Sequence, residues 1–141
     1  MQPWLYWAIA SAFFAALTAI FAKIGLSGID SDFATFIRTI VIIIALATFL
    51  TYAHKWQDPS SLSAKNWTFL VLSGLATGAS WLAYFKALQL GEASKVAPVD
   101  KLSLILVALM AFFFLKERPS TQEWSGIGLI AAGVLLLAIK R

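Results

Sequence analysis

The sequence predicts an all-α integral membrane protein, a bundle of five transmembrane helices, and three observations carry that reading. Of its 141 residues 60% are hydrophobic and only 13% charged, too few polar side chains to cover a water-soluble globule. The charged residues gather between long apolar runs, each near the ~20 residues that cross a ~30 Å hydrocarbon core. Within those runs the hydrophobicity is continuous rather than alternating, which selects helices, because lipid cannot satisfy an exposed strand edge and a membrane barrel alternates.

The first span covers residues 4–24. Its preceding residues, Met1-Gln2-Pro3, lack the positive region of a signal peptide, so a retained span is expected. The second, 33–53, starts after Asp30 and Asp32, either of which can cap it. Asp58-Pro59-Ser60-Ser61 reads as a turn, and the third span follows at 67–88. The fourth, 96–115, contains Pro98, a residue that suits the first helical position and disfavours helix at Ala97. A fourth helix starting at Pro98 leaves Ser94 to Ala97 unwound and places Asp100 in the first turn, where a carboxylate complements the helix dipole. The fifth, 121–139, opens on Ser120-Thr121-Gln122-Glu123, a capping box with Pro119 just outside. Connections at 25–32, 54–66, 89–95 and 116–120 are short, so consecutive helices are expected as antiparallel neighbours in a single membrane domain, 1–141.

Five spans put the amino terminus and the second and fourth loops on one membrane face. Trp4, Trp7, Trp56, Trp67 and Trp124 all fall there, the pattern of an interfacial aromatic belt. Orientation is weakly encoded. Lys55, Lys65, Lys116 and Arg118 lie on the aromatic face, against Lys95, Lys140 and Arg141 on the other, joined by Lys23, Arg38, Lys86 and Lys101 if residues within or at the ends of helices count. A chain with so little positive-inside bias can insert both ways round, and a simple preference for a cytoplasmic carboxyl terminus is the equal alternative.

The net charge of +4 comes without any basic run longer than two residues, so anionic head groups account for it and nucleic acid is set aside. There is no cysteine, which excludes disulfides and thiol chemistry. One histidine and dispersed acids supply neither a catalytic triad nor a metal cluster. No enzyme activity, metal or cofactor is expected.

The segment ALQLGEASKVAPVDKLSLILVALMAFFFLKERPSTQEWSGIGLIAAGVLLL resembles the end of an EamA-type domain of the drug/metabolite transporter superfamily. The resemblance rests on Gly91-Glu92-Ala93-Ser94, Pro98 early in the fourth helix, the Leu115 to Arg118 exit and the Trp124 to Gly126 start. Lys23-Ile24-Gly25-Leu26 and Phe36-Ile37-Arg38 extend it over nearly the whole chain. It implies a multi-pass protein of a bacterial or archaeal inner membrane and transport of small metabolites. Most members of that superfamily carry two such units in inverted orientation, whereas this sequence has one. Inverted repeats give alternating access around a site at their interface, so a homodimer of oppositely inserted copies is expected, and the weak charge bias suits it. Small multidrug exporters offer a contrast: they present a membrane glutamate on their first helix, where this chain has no acid.

Candidate site residues follow from the cost of polarity in lipid. An ionisable side chain near mid-membrane costs at least ~2.5 to 3.5 kcal/mol on insertion scales. Arg38 is the deepest strong base of the second helix, with no acid on its helix face. Asp100 and Lys101 lie inside the fourth apolar run, and Lys23 and Lys86 lie near helix ends, where they can also snorkel to head groups. Together they suggest a vestibule in which Asp100 pairs with Arg38 or Lys101 and surplus positive charge attracts an anionic or zwitterionic solute. On the third helix Ser73, Thr77, Ser80 and Tyr84 form a hydroxyl stripe beside Gly74, Gly78, Trp81 and Phe85. The hydroxyls either bond their own backbone or line a cavity with Trp81 and Tyr84 against a substrate. Gly74 and Gly78, with Gly126, Gly128 and Gly133 of the last helix, allow close helix packing within the chain or in a dimer. The function expected is alternating-access transport, with export favoured, of a small polar metabolite by an inverted homodimer. The competing reading is a non-transporting subunit, or half-transporter, that stabilises a different partner.

Overall fold

The computed structural model describes residues 3–139, with helices α1 (Pro3–Gly25), α2 (Ser31–Tyr52), α3 (Ala64–Leu90), α4 (Ala93–Asp100), α5 (Ser103–Phe114) and α6 (Thr121–Ala138). Lys140 and Arg141, counted above in the charge balance, lie outside the described residues. Among the described residues five stretches are long and apolar enough to cross a membrane: α1, α2, α3, the combined Ala93–Phe114 stretch and α6. Their bounds lie within a few residues of the expected spans. Large apolar side chains such as Trp7, Phe14, Phe69, Phe113 and Leu136 are exposed throughout, a surface that only lipid can solvate.

The helix ends are set by local chemistry. Asp30 accepts from the backbone N–H groups of Asp32 (2.9 Å) and Phe33 (3.1 Å), so it is Asp30 that caps α2. Beyond α2 the chain turns through His54 at φ 52°, with Lys55 N–H donating to Leu50 C=O (3.0 Å) and His54 N–H to Thr51 C=O (3.3 Å). This is the two-bond C-terminal motif usually built on glycine. Asp58 caps a single 3-10 turn, Pro59–Ser61, and the N–H of Ser60 holds its carboxyl below the usual carboxylate range. Ser63 Oγ accepts from Asn66 N–H (3.1 Å) and opens α3. Ser120 and Glu123 close the reciprocal capping box of α6.

The fourth span departs from the expectation. Ser94 to Ala97 are helical, and Pro98 lies inside α4 rather than at its start. Glu92 provides the extended N-cap residue and pairs with Lys95 across the first turn (2.9 Å). Proline removes only one ladder hydrogen bond here, and the short helix ends within a turn of it. The break comes later, at residues 101 and 102, where Lys101, Leu102, Leu104 and Ile105 each donate to the carbonyl three residues back, the tight 3-10 geometry that joins α4 to α5.

By contact density the chain falls into two units, Met1–Leu90 and Gly91–Arg141. In the first, α3 packs against both α1 and α2, around buried Ala19, Leu26, Ser31, Thr35, Phe85 and Leu88. Two side-chain bonds tie the end of α3 to the α1–α2 region: Lys23 Nζ donates to Leu88 C=O (2.6 Å) and Gln89 Nε2 to Ile29 C=O (2.9 Å). In the second unit α4 and α5 both pack on α6, where Ala111 and Val134 are buried.

Candidate anion site on the second helix

Arg38 lies about 10 Å along α2 from Ser31 at ~1.5 Å rise per residue, well inside the hydrophobic stretch. Its Cζ sits 4.3 Å from the ring centroid of Trp81 and 5.1 Å from that of Phe85. Trp81 and Phe85 are four residues apart and so share a face of α3. Phe85 is buried, 3% exposed, with Tyr84 edge-on to it at 6.3 Å. The π faces stabilise a cation that has left water. They supply no hydrogen-bond acceptor, and Arg38 Nη1 is buried without one among the described residues.

The same arginine borders a cavity of about 450 Å³, within the ~300–1,000 Å³ typical of small-molecule sites. Phe21, Ala22 and Leu26 contribute from α1 and its end, Ala34, Ile37 and Val41 from α2, and Phe85 from α3. Among the described residues only Thr18 and Arg38 bring polar side chains to its wall, and none of them there is acidic.

The other candidate residues occupy different settings. Asp100 pairs with Lys101 at 3.4 Å, both side chains substantially exposed. Lys23 is engaged by Leu88 C=O, and Lys86 Nζ donates to Gln89 Oε1 at 3.4 Å. Thr77 Oγ1 donates to Ser73 C=O within its own helix (2.9 Å), the use that hydroxyls commonly find in apolar surroundings; Ser80 is exposed. A Cβ added at Gly74, Gly78, Gly126, Gly128 or Gly133 meets nothing within 4 Å. Among the described residues no three His, Cys, Asp or Glu side chains are grouped to hold a metal ion.

The family model described as the EamA-like transporter family matches residues 2–139. The chain belongs to the EamA-like transporter family. With its five spans it is a multi-pass inner-membrane protein and a small-molecule transporter. Among the relatives of this EamA-like chain, an uncharacterized transporter in the cobO 3'region of a Sinorhizobium species is 55% identical over 98% of both chains. A probable 4-amino-4-deoxy-L-arabinose-phosphoundecaprenol flippase subunit, ArnE, of Hamiltonella defensa is 37% identical over 60% of this chain and 74% of its own. The riboflavin transporter of Vibrio cholerae is 27% identical over 92% of this chain but only 42% of its own length. No solved structure matches significantly.

The cavity wall was not legible in the sequence of this EamA-like chain. Thr18 and Phe21 carry no signal that separates them from other residues of an apolar helix. Phe85 was visible only as a neighbour of Trp81 on the α3 stripe. Ala34, Ile37 and Val41 could have been found from Arg38 itself, since they lie three or four residues from it or beside it on α2.

Proposed function

We propose that this chain carries a small anionic or zwitterionic molecule across the membrane as half of a transporter, with Arg38 as the group that meets the negative charge. The observation that carries this reading is a guanidinium held well inside the hydrophobic stretch of α2, over Trp81 and Phe85, at the edge of a cavity with no acid among the described residues of its wall. An arginine there is costly, and an incoming carboxylate or phosphate offsets that cost through charge-assisted hydrogen bonds.

The second half is a copy of the same chain inserted in the opposite sense. Two features support this. The riboflavin transporter of V. cholerae is more than twice as long as the region this chain matches, so one chain supplies about one repeat of such a protein. Counted in the loops and at the chain end alone, the basic residues stand four against three between the two faces, the small bias that dual insertion requires. Alternating access then follows from rocking of the two units around a shared site. A hetero-oligomer is the second reading, favoured by the word subunit in the name of the H. defensa relative.

Because the chain has no cysteine, single cysteines can report topology cleanly. Ser27→Cys and Ser60→Cys lie in the first and second loops, on opposite faces in a five-span chain. In intact cells, an impermeant maleimide should label a comparable fraction of each variant, and vesicles containing only this chain should take up labelled anionic or zwitterionic metabolites from a mixed panel. Complete labelling of one variant with full protection of the other rules out the inverted homodimer. Absence of uptake by vesicles containing only this chain, with uptake restored by a second five-span protein, establishes the hetero-oligomer instead.

A further inference from the structure

We infer that the Arg38 cavity is built for an amphipathic anion, a negatively charged head group carrying an apolar chain, rather than for a freely soluble ion. The inference deepens the proposed function and rests on its assignment of Arg38 as the anion anchor. It adds what the rest of the wall says about the remainder of the ligand.

A site for a hydrophilic solute surrounds it with several polar partners, because every polar group taken from water without a hydrogen bond costs free energy. This cavity offers Thr18 and Arg38 and is otherwise apolar. A sugar or an amino acid within it would leave most of its polar atoms unsatisfied. An alkyl or isoprenoid chain has no such atoms and matches a wall formed by Phe21, Leu26, Ile37 and Val41. At one place the wall changes character. A guanidinium held over an aromatic ring still has in-plane N–H donors, a fork that fits carboxylate or phosphate. The ligand that satisfies both parts has a single anionic end and an apolar body. Such a molecule partitions into the bilayer, the medium in which α1, α2 and α3 lie.

Head-group and free-ion sources of the same anion are distinguishable with defined probes. The full-length protein, purified in an uncharged detergent, is analysed by native mass spectrometry with dodecyl phosphate, inorganic phosphate, dodecanol and dodecyltrimethylammonium, each titrated separately. Dodecyl phosphate should be retained as one adduct per chain, at least tenfold more tightly than any of the other three. Arg38→Gln should weaken its retention at least tenfold, Arg38→Lys by less. Ala34→Phe, which places a ring at the cavity wall and keeps the arginine, should also weaken it at least tenfold. Equal retention of inorganic and dodecyl phosphate, both lost in Arg38→Gln, overturns the inference and leaves the anion anchor of the proposed function standing. Retention of dodecyl phosphate that is indifferent to Arg38→Gln overturns both. Circular dichroism and size-exclusion elution identify a variant that does not fold. If Arg38→Gln is such a variant, Ala34→Phe decides, and unchanged retention in it overturns the inference.

Discussion

The contact between Arg38 and Trp81 has a measurable energy, and a double-mutant cycle isolates it. Arg38 Cζ lies 4.3 Å from the Trp81 centroid, and burial of Nη1 puts the pair nearer the desolvated limit of cation–π interactions, about 1–2 kcal/mol. That corresponds to roughly 5- to 30-fold in a folding equilibrium. Trp81→Leu in the native background loses this term together with ring packing. In an Arg38→Met background it loses packing alone. The difference is the coupling energy, expected at about 1 kcal/mol or more, with Phe85 at 5.1 Å retaining part of the cation's stabilisation. Arg38→Met by itself should be neutral or stabilising, because it removes an insertion cost of ~2.5–3.5 kcal/mol against a loss of about 1–2 kcal/mol. The assay is reversible unfolding in mixed micelles at increasing mole fraction of dodecyl sulfate, followed by far-UV circular dichroism for the four proteins. Additivity of the two substitutions within ~0.3–0.5 kcal/mol, the usual result for sites that do not interact, refutes the stacked arrangement.

Three further outcomes are expected. Ser120→Ala removes half of the capping box at α6 and should cost about 1 kcal/mol in the same unfolding assay. His54→Gly relieves a positive φ of 52° in a non-glycine residue and should raise stability by about 1 kcal/mol; a loss of stability contradicts the turn geometry. Gly78→Leu fills space in which an added Cβ meets nothing, so monomer stability should hold while the dimer fraction, read by crosslinking in bilayers, falls if α3 contributes to pairing.

The parts of the fold that the sequence discloses are those decided by neighbouring residues. Asp30, Asp58, Ser120 and Glu123 act within three residues of themselves, and the spans are visible because lipid demands long uninterrupted apolar runs. Pro98 shows the limit of that logic. Its missing N–H suits a helix start, yet the helix begins earlier, at Ala93 after the extended Glu92, and only the combination of a 3-10 turn at residues 101 and 102 with the α5 start reveals where the α-helical ladder of the span breaks. Arg38 was conspicuous because one charge in an apolar helix has few bland explanations. Its surroundings were not, since Thr18, Val41 and Phe85 are brought to one cavity by packing between helices far apart in sequence, in an environment where nearly every side chain is apolar and periodicity marks no inward face.

The most direct test is the charge dependence of uptake at Arg38. Vesicles reconstituted with equal amounts of folded protein, native, Arg38→Lys or Arg38→Gln, are supplied with the anionic metabolites transported by the native chain. Uptake should fall by at least tenfold in Arg38→Gln and by less in Arg38→Lys, while the helical content of all three is the same. Equal uptake by Arg38→Gln and the native protein contradicts the account, because the arginine is then an anchor in the bilayer and the anion is met elsewhere.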